Sequence, residues 1–409
     1  MSRRRPLRWR GCAAAALVLG CGLAAPALAA DAPPPPPPPL AIAMRETFDV
    51  MSVPFGRSPG ISLLNKLQLS GTLRGDQFGL EGWSAHAQLF RFDGQSLSRR
   101  LGDLQTADNI EAVPVTRLFE AYLARLWGKG DRTVAVRLGL IDLNSQFDSI
   151  DAASLMLNSS HGIAPDLSRS GLNGPSIYPV TAVGSTVTWV RSPRLTLRLG
   201  VFDGVAGSPA LPHAFLAERL SPHDGVLVIA QVDDHLDKDR RIEGGAWGYT
   251  AATGGVADPA AHGRGAYLSY QGPTAWLPRL SWWLRGGVAN GRAQAVEDYA
   301  GGGLVQQGTF AGRPKDRLGL ALAHAVVGHD AAALGGTHRA ETSVELTYQA
   351  VIGDRFVVQP DLDFVHHPAG LAHAPDSLAV GLRLVFVAAH PGSLKASDPG
   401  DPTVPPDAL

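Results

Sequence analysis

The chain has 409 residues, and its 36 basic and 37 acidic side chains leave a formal net charge of −1. Five of the arginines lie in the first ten residues, so the rest carries 31 bases against 37 acids and has no basic stripe with which to neutralise phosphates. Nucleic acid is therefore excluded as a partner. Both cysteines, Cys12 and Cys21, fall in the first 21 residues, so a chain cleaved after them has no disulfide.

The N-terminus has the order of a secretory signal peptide. Arg3, Arg4, Arg5, Arg8 and Arg10 precede an apolar run from Cys12 to Ala25, and Ala27-Leu28-Ala29 supplies the small-residue cleavage site. The run falls short of the roughly 20 apolar residues that a spanning helix needs. Val18-Leu19-Gly20-Cys21 offers a second processing route as a lipobox, with Cys21 acylated, although Leu19 before the glycine fits it poorly. Residues 1–29 are expected to be the signal, and residues 30–46 a spacer containing the unbroken Pro33–Pro39 run in polyproline II conformation. No later stretch is long and apolar enough for a transmembrane helix. A membrane could then be crossed only by strands.

From residue 47 to residue 388 a period of two recurs. Leu67, Leu69, Gly71 and Leu73 oppose Gln68, Ser70 and Thr72, and Trp83, Ala85, Ala87 and Leu89 oppose Ser84, His86 and Gln88. Further on, Val134, Val136, Leu138 and Leu140 oppose Arg137, and Leu195, Leu197, Leu199 and Val201 oppose Arg198. Leu318, Leu320 and Leu322 oppose Gly319, Ala321 and Ala323. Near the end, Thr342, Val344, Leu346 and Tyr348 oppose Glu341, Ser343, Glu345 and Thr347. After the turn at Gly353-Asp354, Phe356, Val358, Leu362 and Phe364 oppose Gln359, Asp361 and Asp363. The last segment, L-A-V-G-L-R-L-V-F at residues 378–386, puts Arg383 among small residues on one face and five large apolar residues on the other. Two is the side-chain period of a strand.

A soluble sandwich alternates in the same way, with its apolar face buried against a second sheet. Three features favour a transmembrane barrel instead: tight turns such as Gly128–Asp131 and Arg191–Arg194, long Gly- and Pro-rich connections alternating with them, and aromatics near strand ends (Trp127, Trp189, Tyr348, Phe356). The expected fold is all-β, a transmembrane antiparallel barrel of about 16 strands at roughly 20 residues per strand and connection. Short helical turns are expected at residues 212–220 and within residues 144–160. The tail, residues 389–409, reads as disordered.

One region breaks the alternation. It runs R-L-G-L-I-D-L-N-S-Q-F-D at residues 137–148 and L-M-L-N-S-S-H-G at residues 155–162. Pro165-Asp166-Leu167-Ser168, G-P-S-I-Y-P at residues 174–179 and G-V-F-D-G at residues 200–204 follow. This order resembles the carbohydrate-selective porin family, the OprB-type outer-membrane porins, over roughly residues 65–386. The resemblance implies a sixteen-stranded barrel in the outer membrane of a Gram-negative bacterium, passing small saccharides by passive diffusion. The chain departs from that family in its proline spacer and in the tail after Phe386, where barrels of the family usually end at a terminal aromatic.

A charge flanked by lipid-facing apolar residues must point into the lumen. Arg137, Arg198, Glu345, Asp361, Asp363 and Arg383 are therefore the candidates for the pore wall. The long loop is expected to fold inward as a constriction, with Asn158, Ser159, Ser160, His161 and Asp166 as its polar candidates. The alternative for these is that Asn and Ser merely fix the loop's turns by side-chain to backbone bonds. No catalytic set, metal site or cofactor site is expected. Gly56-Arg57-Ser58-Pro59-Gly60 fits G-x-S-x-G but has no helix to follow it. His366 and His367, on opposite faces of a strand, would not share a metal, and His324 and His329 lack a third ligand. Expected partners are small saccharides and outer-membrane lipids, with a monomer and a trimer both open. The rival reading is an exported β-rich binding or surface protein without a pore, lipid-anchored at Cys21.

Overall fold

The computed structural model describes residues 39–255, 258–275, 277–329, 331 and 340–389. The expected signal peptide, Cys21, most of the proline run and the tail from His390 lie outside the described residues. Sixteen strands follow one another: β1 (Leu40–Phe55), β2 (Gly60–Arg74), β3 (Trp83–Gly94), β4 (Val115–Lys129), β5 (Arg132–Ile141), β6 (Ala182–Val190), β7 (Leu195–Asp203) and β8 (Val226–His235). Then come β9 (Arg241–Tyr249), β10 (Arg264–Pro273), β11 (Leu280–Ala289), β12 (Val296–Gln307), β13 (Arg317–Val327), β14 (Ala340–Ile352), β15 (Phe356–His366) and β16 (Ser377–Ala389). Each pairs antiparallel with its sequence neighbour, and β1 pairs with β16 in register Asp49 to Arg383, so the sheet closes on itself. Closure satisfies the backbone of every strand and leaves no edge, which hydrocarbon requires.

The sheet begins at Leu40, seven residues before the expected start at residue 47. Residues 40–46, expected in the spacer, belong to β1.

Alternation decides what each face carries. In β16, Val380, Leu382 and Leu384 are about 40% exposed on the outside, while Ala379, Val385 and Arg383 are buried on the inside. No second sheet covers the apolar face among the described residues, so the sandwich is ruled out. Each outward leucine contributes about 1.5–3 kcal/mol when hydrocarbon replaces water around it. Trp83, Trp127, Trp189 and Phe356 stand exposed near the tight-turn end, with Arg125 lying over both Trp83 and Trp127 at 5.0 and 5.2 Å. Glu46 and Asn65 break the apolar rule. They project outward from β1 and β2 with apolar neighbours above and below, and the Asn65 amide donates to the Glu46 carboxylate.

The two ends differ. At one end the connections are tight, for example Gly130-Asp131 between β4 and β5, where Gly130 takes a φ of 60° that suits glycine in a two-residue hairpin. The start of β1 and the end of β16 lie at this end. At the other end, residues 95–114 form a loop (L2) between β3 and β4. Residues 142–181 form a 40-residue loop (L3) between β5 and β6. Short helical turns occur in L3 at Leu143–Ser145, Asp151–Leu155 and Ser159–His161, about where they were expected, and at Pro165–Ser168, beyond the expected segment. Residues 212–220 form no helix, contrary to expectation; instead the Pro212 and Ala214 carbonyls accept from Arg117.

Candidate pore constriction

L3 begins with its own caps. The Asp142 carboxylate accepts from Asn144 N at 2.9 Å, and Asp142 N donates to Glu120 of β4 at 2.9 Å. The Asn144 amide then donates to Phe147 O, Asp148 O and Gly162 O at 3.1–3.2 Å, tying the outgoing limb to the returning one. From there the loop runs along the inner wall. Gln146 bonds Thr186 and Thr188 of β6, Asp148 N donates to Gln231 of β8, and Ala152 N donates to Gln271 of β10. Leu157 N and Asn158 N donate to Glu345 of β14 at 2.6 and 3.0 Å, and Gln359 of β15 donates to Leu155 O at 2.7 Å. The loop thus spans the wall from β6 to β15.

Small inward side chains make room for it. Leu155 and Met156 pack on Trp283, Val305 and Ala321. A Cβ on Gly319 would lie 2.4 Å from Met156 Cε, so nothing larger than glycine fits there unless Met156 shifts.

Two arginines fasten the loops to the wall. Arg285 of β11 bonds Asp148 at 2.8 Å and also Asp166, joining the two limbs of L3, and it lies over the rings of Tyr267 and Tyr299. The neighbouring inward residue is Gly287, where a Cβ would sit 2.2 Å from both Arg285 Nη1 and Asp166 Oδ2. Arg383 of β16 bonds Asp49 of β1 at 2.7 Å and Asp108 of L2 at 3.1 Å, so it joins the closing seam to that loop. Glu341 of β14 accepts from Leu104 N, Gln105 N and Ala369 N at 2.6–2.9 Å. L2 and L3 are also stitched together: Ser159 N donates to Thr106 O at 2.9 Å, and Arg169 donates to Leu104 O.

The six wall candidates all point inward. Only Arg198 is part-exposed, beside buried Asp233. Arg137, Glu345, Asp361, Asp363 and Arg383 are buried and do not face open water, which corrects their expected place on the pore surface. Glu345, Asp363 and Arg383 hold loops in place. Arg137 lies over the Tyr122 ring and bonds Ser145. In L3, Asn158, Ser160, His161 and Asp166 are buried against the wall, and Ser159 is half-buried. The turn-fixing alternative describes Asn158 well, since its Oδ1 accepts from Ser160 N at 3.0 Å; its amide also reaches Ser343 and Asp363. Sequence reasoning missed Arg285, Asp148, Asp49, Asp108 and Glu341.

The two histidines expected on opposite faces in fact lie together, their rings tilted by 37° with centroids 3.7 Å apart. The strand ends at His366, and His367 takes a left-handed φ of 52°, so period two no longer applies. No group of three or more metal-ligating side chains that could hold an ion occurs among the described residues.

A family model described as the OprB family of carbohydrate-selective porins matches residues 75–254 and 274–387. The chain belongs to this family. It is a porin, a channel family whose name gives carbohydrate as the preferred solute, and its sixteen-stranded barrel agrees with that of solved porins. The high-pH structure of Pseudomonas putida OprB superposes with a TM-score of 0.74 at 17% identity, covering 85% of this chain and 94% of that one. The outer-membrane channel DcaP of Acinetobacter baumannii gives 0.54 at 9% identity, covering 85% and 97%. No curated protein sequence matches the chain.

Proposed function

We propose that this porin lies in the outer membrane of a Gram-negative bacterium, after loss of residues 1–29, and that small saccharides and similar polar solutes diffuse through it past L3. The observation that carries this reading is the loop itself: 40 residues folded into a closed barrel and bonded to strands from β6 to β15. Such a loop narrows a lumen without plugging it when one flank stays wet. The half-buried Tyr178, on the returning limb, offers an aromatic face with Lys66 5.1 Å from its centroid. A ring face stacks on the apolar side of a sugar while nearby donors replace the water its hydroxyls lose. Tyr178, Lys66 and Arg198 are therefore the residues assigned to solute contact. The outward leucines meet outer-membrane lipid.

Single-channel recording of the refolded protein in planar bilayers, with sugars titrated in, tests the reading. Discrete conductance steps closed by a saccharide in a saturable way are expected. Folded protein that gives no steps would overturn it.

A further inference from the structure

The outward face of β4 carries a cation within the apolar band. Period two sends Leu123, Arg125 and Trp127 out, since Tyr122 and Ala124 between them are buried inside. Trp127 lies nearest the tight turn of the three. Arg125 stands about 7 Å farther along the strand, and exposed Leu123 lies beyond it. Across the sheet its direct neighbours are Trp83 of β3 on one side and Val136 of β5 on the other. A charge so placed costs free energy unless it reaches the interface or finds a counter-ion.

The described residues supply no counter-ion. No carboxylate pairs with Arg125 among them, and its Nε is buried without a hydrogen-bond partner. In the adjoining turn, Asp76 accepts from Gly82 N at 2.8 Å, and Glu81 lies 3.8 Å from Lys129. Arg91 and Arg194, also exposed, have acids of their own: Asp93 at 2.7 Å and Asp234 at 2.6 Å. Arg125 has two indoles instead, those of Trp83 and Trp127, with centroids 5.0 and 5.2 Å from its guanidinium carbon. Indole faces attract the charge but supply no acceptor for its N–H groups. The guanidinium is thus held in place with its donors unspent.

We infer that Arg125, Trp83 and Trp127 form a binding site for the phosphodiester of an anionic phospholipid in the leaflet at the tight-turn end. A guanidinium fork matches two phosphate oxygens at once. The two exposed tryptophans mark the level where acyl chains give way to head groups. Leu123 and Val136 continue the site into the hydrocarbon, which selects a lipid over phosphate free in water. An anionic head group is preferred because it brings no ammonium of its own to compete for the phosphate. The inference goes beyond the solute reading and rests on the membrane placement proposed above.

The test is native mass spectrometry of the refolded porin, given equal amounts of phosphatidylglycerol and phosphatidylethanolamine with matched acyl chains. One bound phosphatidylglycerol is expected, retained about fivefold over phosphatidylethanolamine. Arg125→Gln should remove that preference. Arg194→Gln should keep it, because Arg194 is already paired. Added inorganic phosphate should displace nothing. Equal retention of the two lipids, or an unchanged preference in Arg125→Gln, overturns the inference. So does an equal loss in Arg194→Gln, or displacement by inorganic phosphate. Each of these leaves the porin reading standing. Folded protein that fails to float with phospholipid vesicles overturns the membrane placement as well.

Discussion

The loop-side and turn-side halves of this lumen are built from the same alternating strands and use their inward residues in opposite ways. Where L3 rests, β12 and β13 present Gly301, Gly303, Gly319, Ala321 and Ala323, and carboxylates stand where L2 and L3 need acceptors. Toward the turns, Arg45, Arg74, Arg198, Arg241 and Arg317 point inward and are part-exposed. Alternation tells which residues enter the lumen. What they do there depends on whether a loop lies over them: the small residues of β12 and β13 leave room for Leu155 and Met156, while Arg285 and Trp283 of β11 hold the same loop by an ion pair and by packing.

The sharpest way to break this contrast is Arg285→Leu. It leaves Asp148 and Asp166 buried without their cation, a loss of about 3–5 kcal/mol. L3 should then leave the wall, and single-channel conductance should rise together with protease cleavage within residues 142–181. An unchanged conductance would mean that L3 is held by other contacts. Next comes Gly319→Leu, which overfills the site of Met156 at a cost of about 1–3 kcal/mol. It should lower the thermal transition of the folded barrel on heat-modifiable gels. Glu345→Gln keeps the shape but replaces one of the two oxygens that accept from Leu157 N and Asn158 N with a donor, so one of those bonds is lost and a loss of about 1–3 kcal/mol is expected by urea unfolding in vesicles. The smallest effect belongs to the outer wall. Replacing both Glu46 and Asn65 with leucine should stabilise the barrel by about 1 kcal/mol if lipid covers that face. A loss of stability would point instead to a protein partner there.

Most of the barrel was legible because lipid leaves period two little latitude. Arg137, Arg198, Glu345, Asp361, Asp363 and Arg383 were all placed inward from flanking residues alone. Their roles were not legible, because Glu345 meets Leu157 across 188 positions of sequence and Arg383 meets Asp108 across 275. Arg285 escaped for a local reason: the adjacent Trp282 and Trp283 hide the alternation of β11, although Trp282 faces out and Trp283 is buried inside. The small inward residues Gly319, Ala321 and Ala323 were visible from the start and were the available signal for where L3 rests. The start of β1 was hidden by its position directly after the prolines.

L3 covers the inner wall from β6 to β15 and leaves Arg198 part-exposed beside it. Thiol accessibility during channel recording tests it most directly, with single cysteines placed at Arg198 and at Ser343 and a charged methanethiosulfonate added. Modification at position 198 should reduce the current promptly, and position 343, beneath Asn158 of L3, should stay unreactive while the channel conducts. Rapid reaction at 343 with none at 198 would contradict the account.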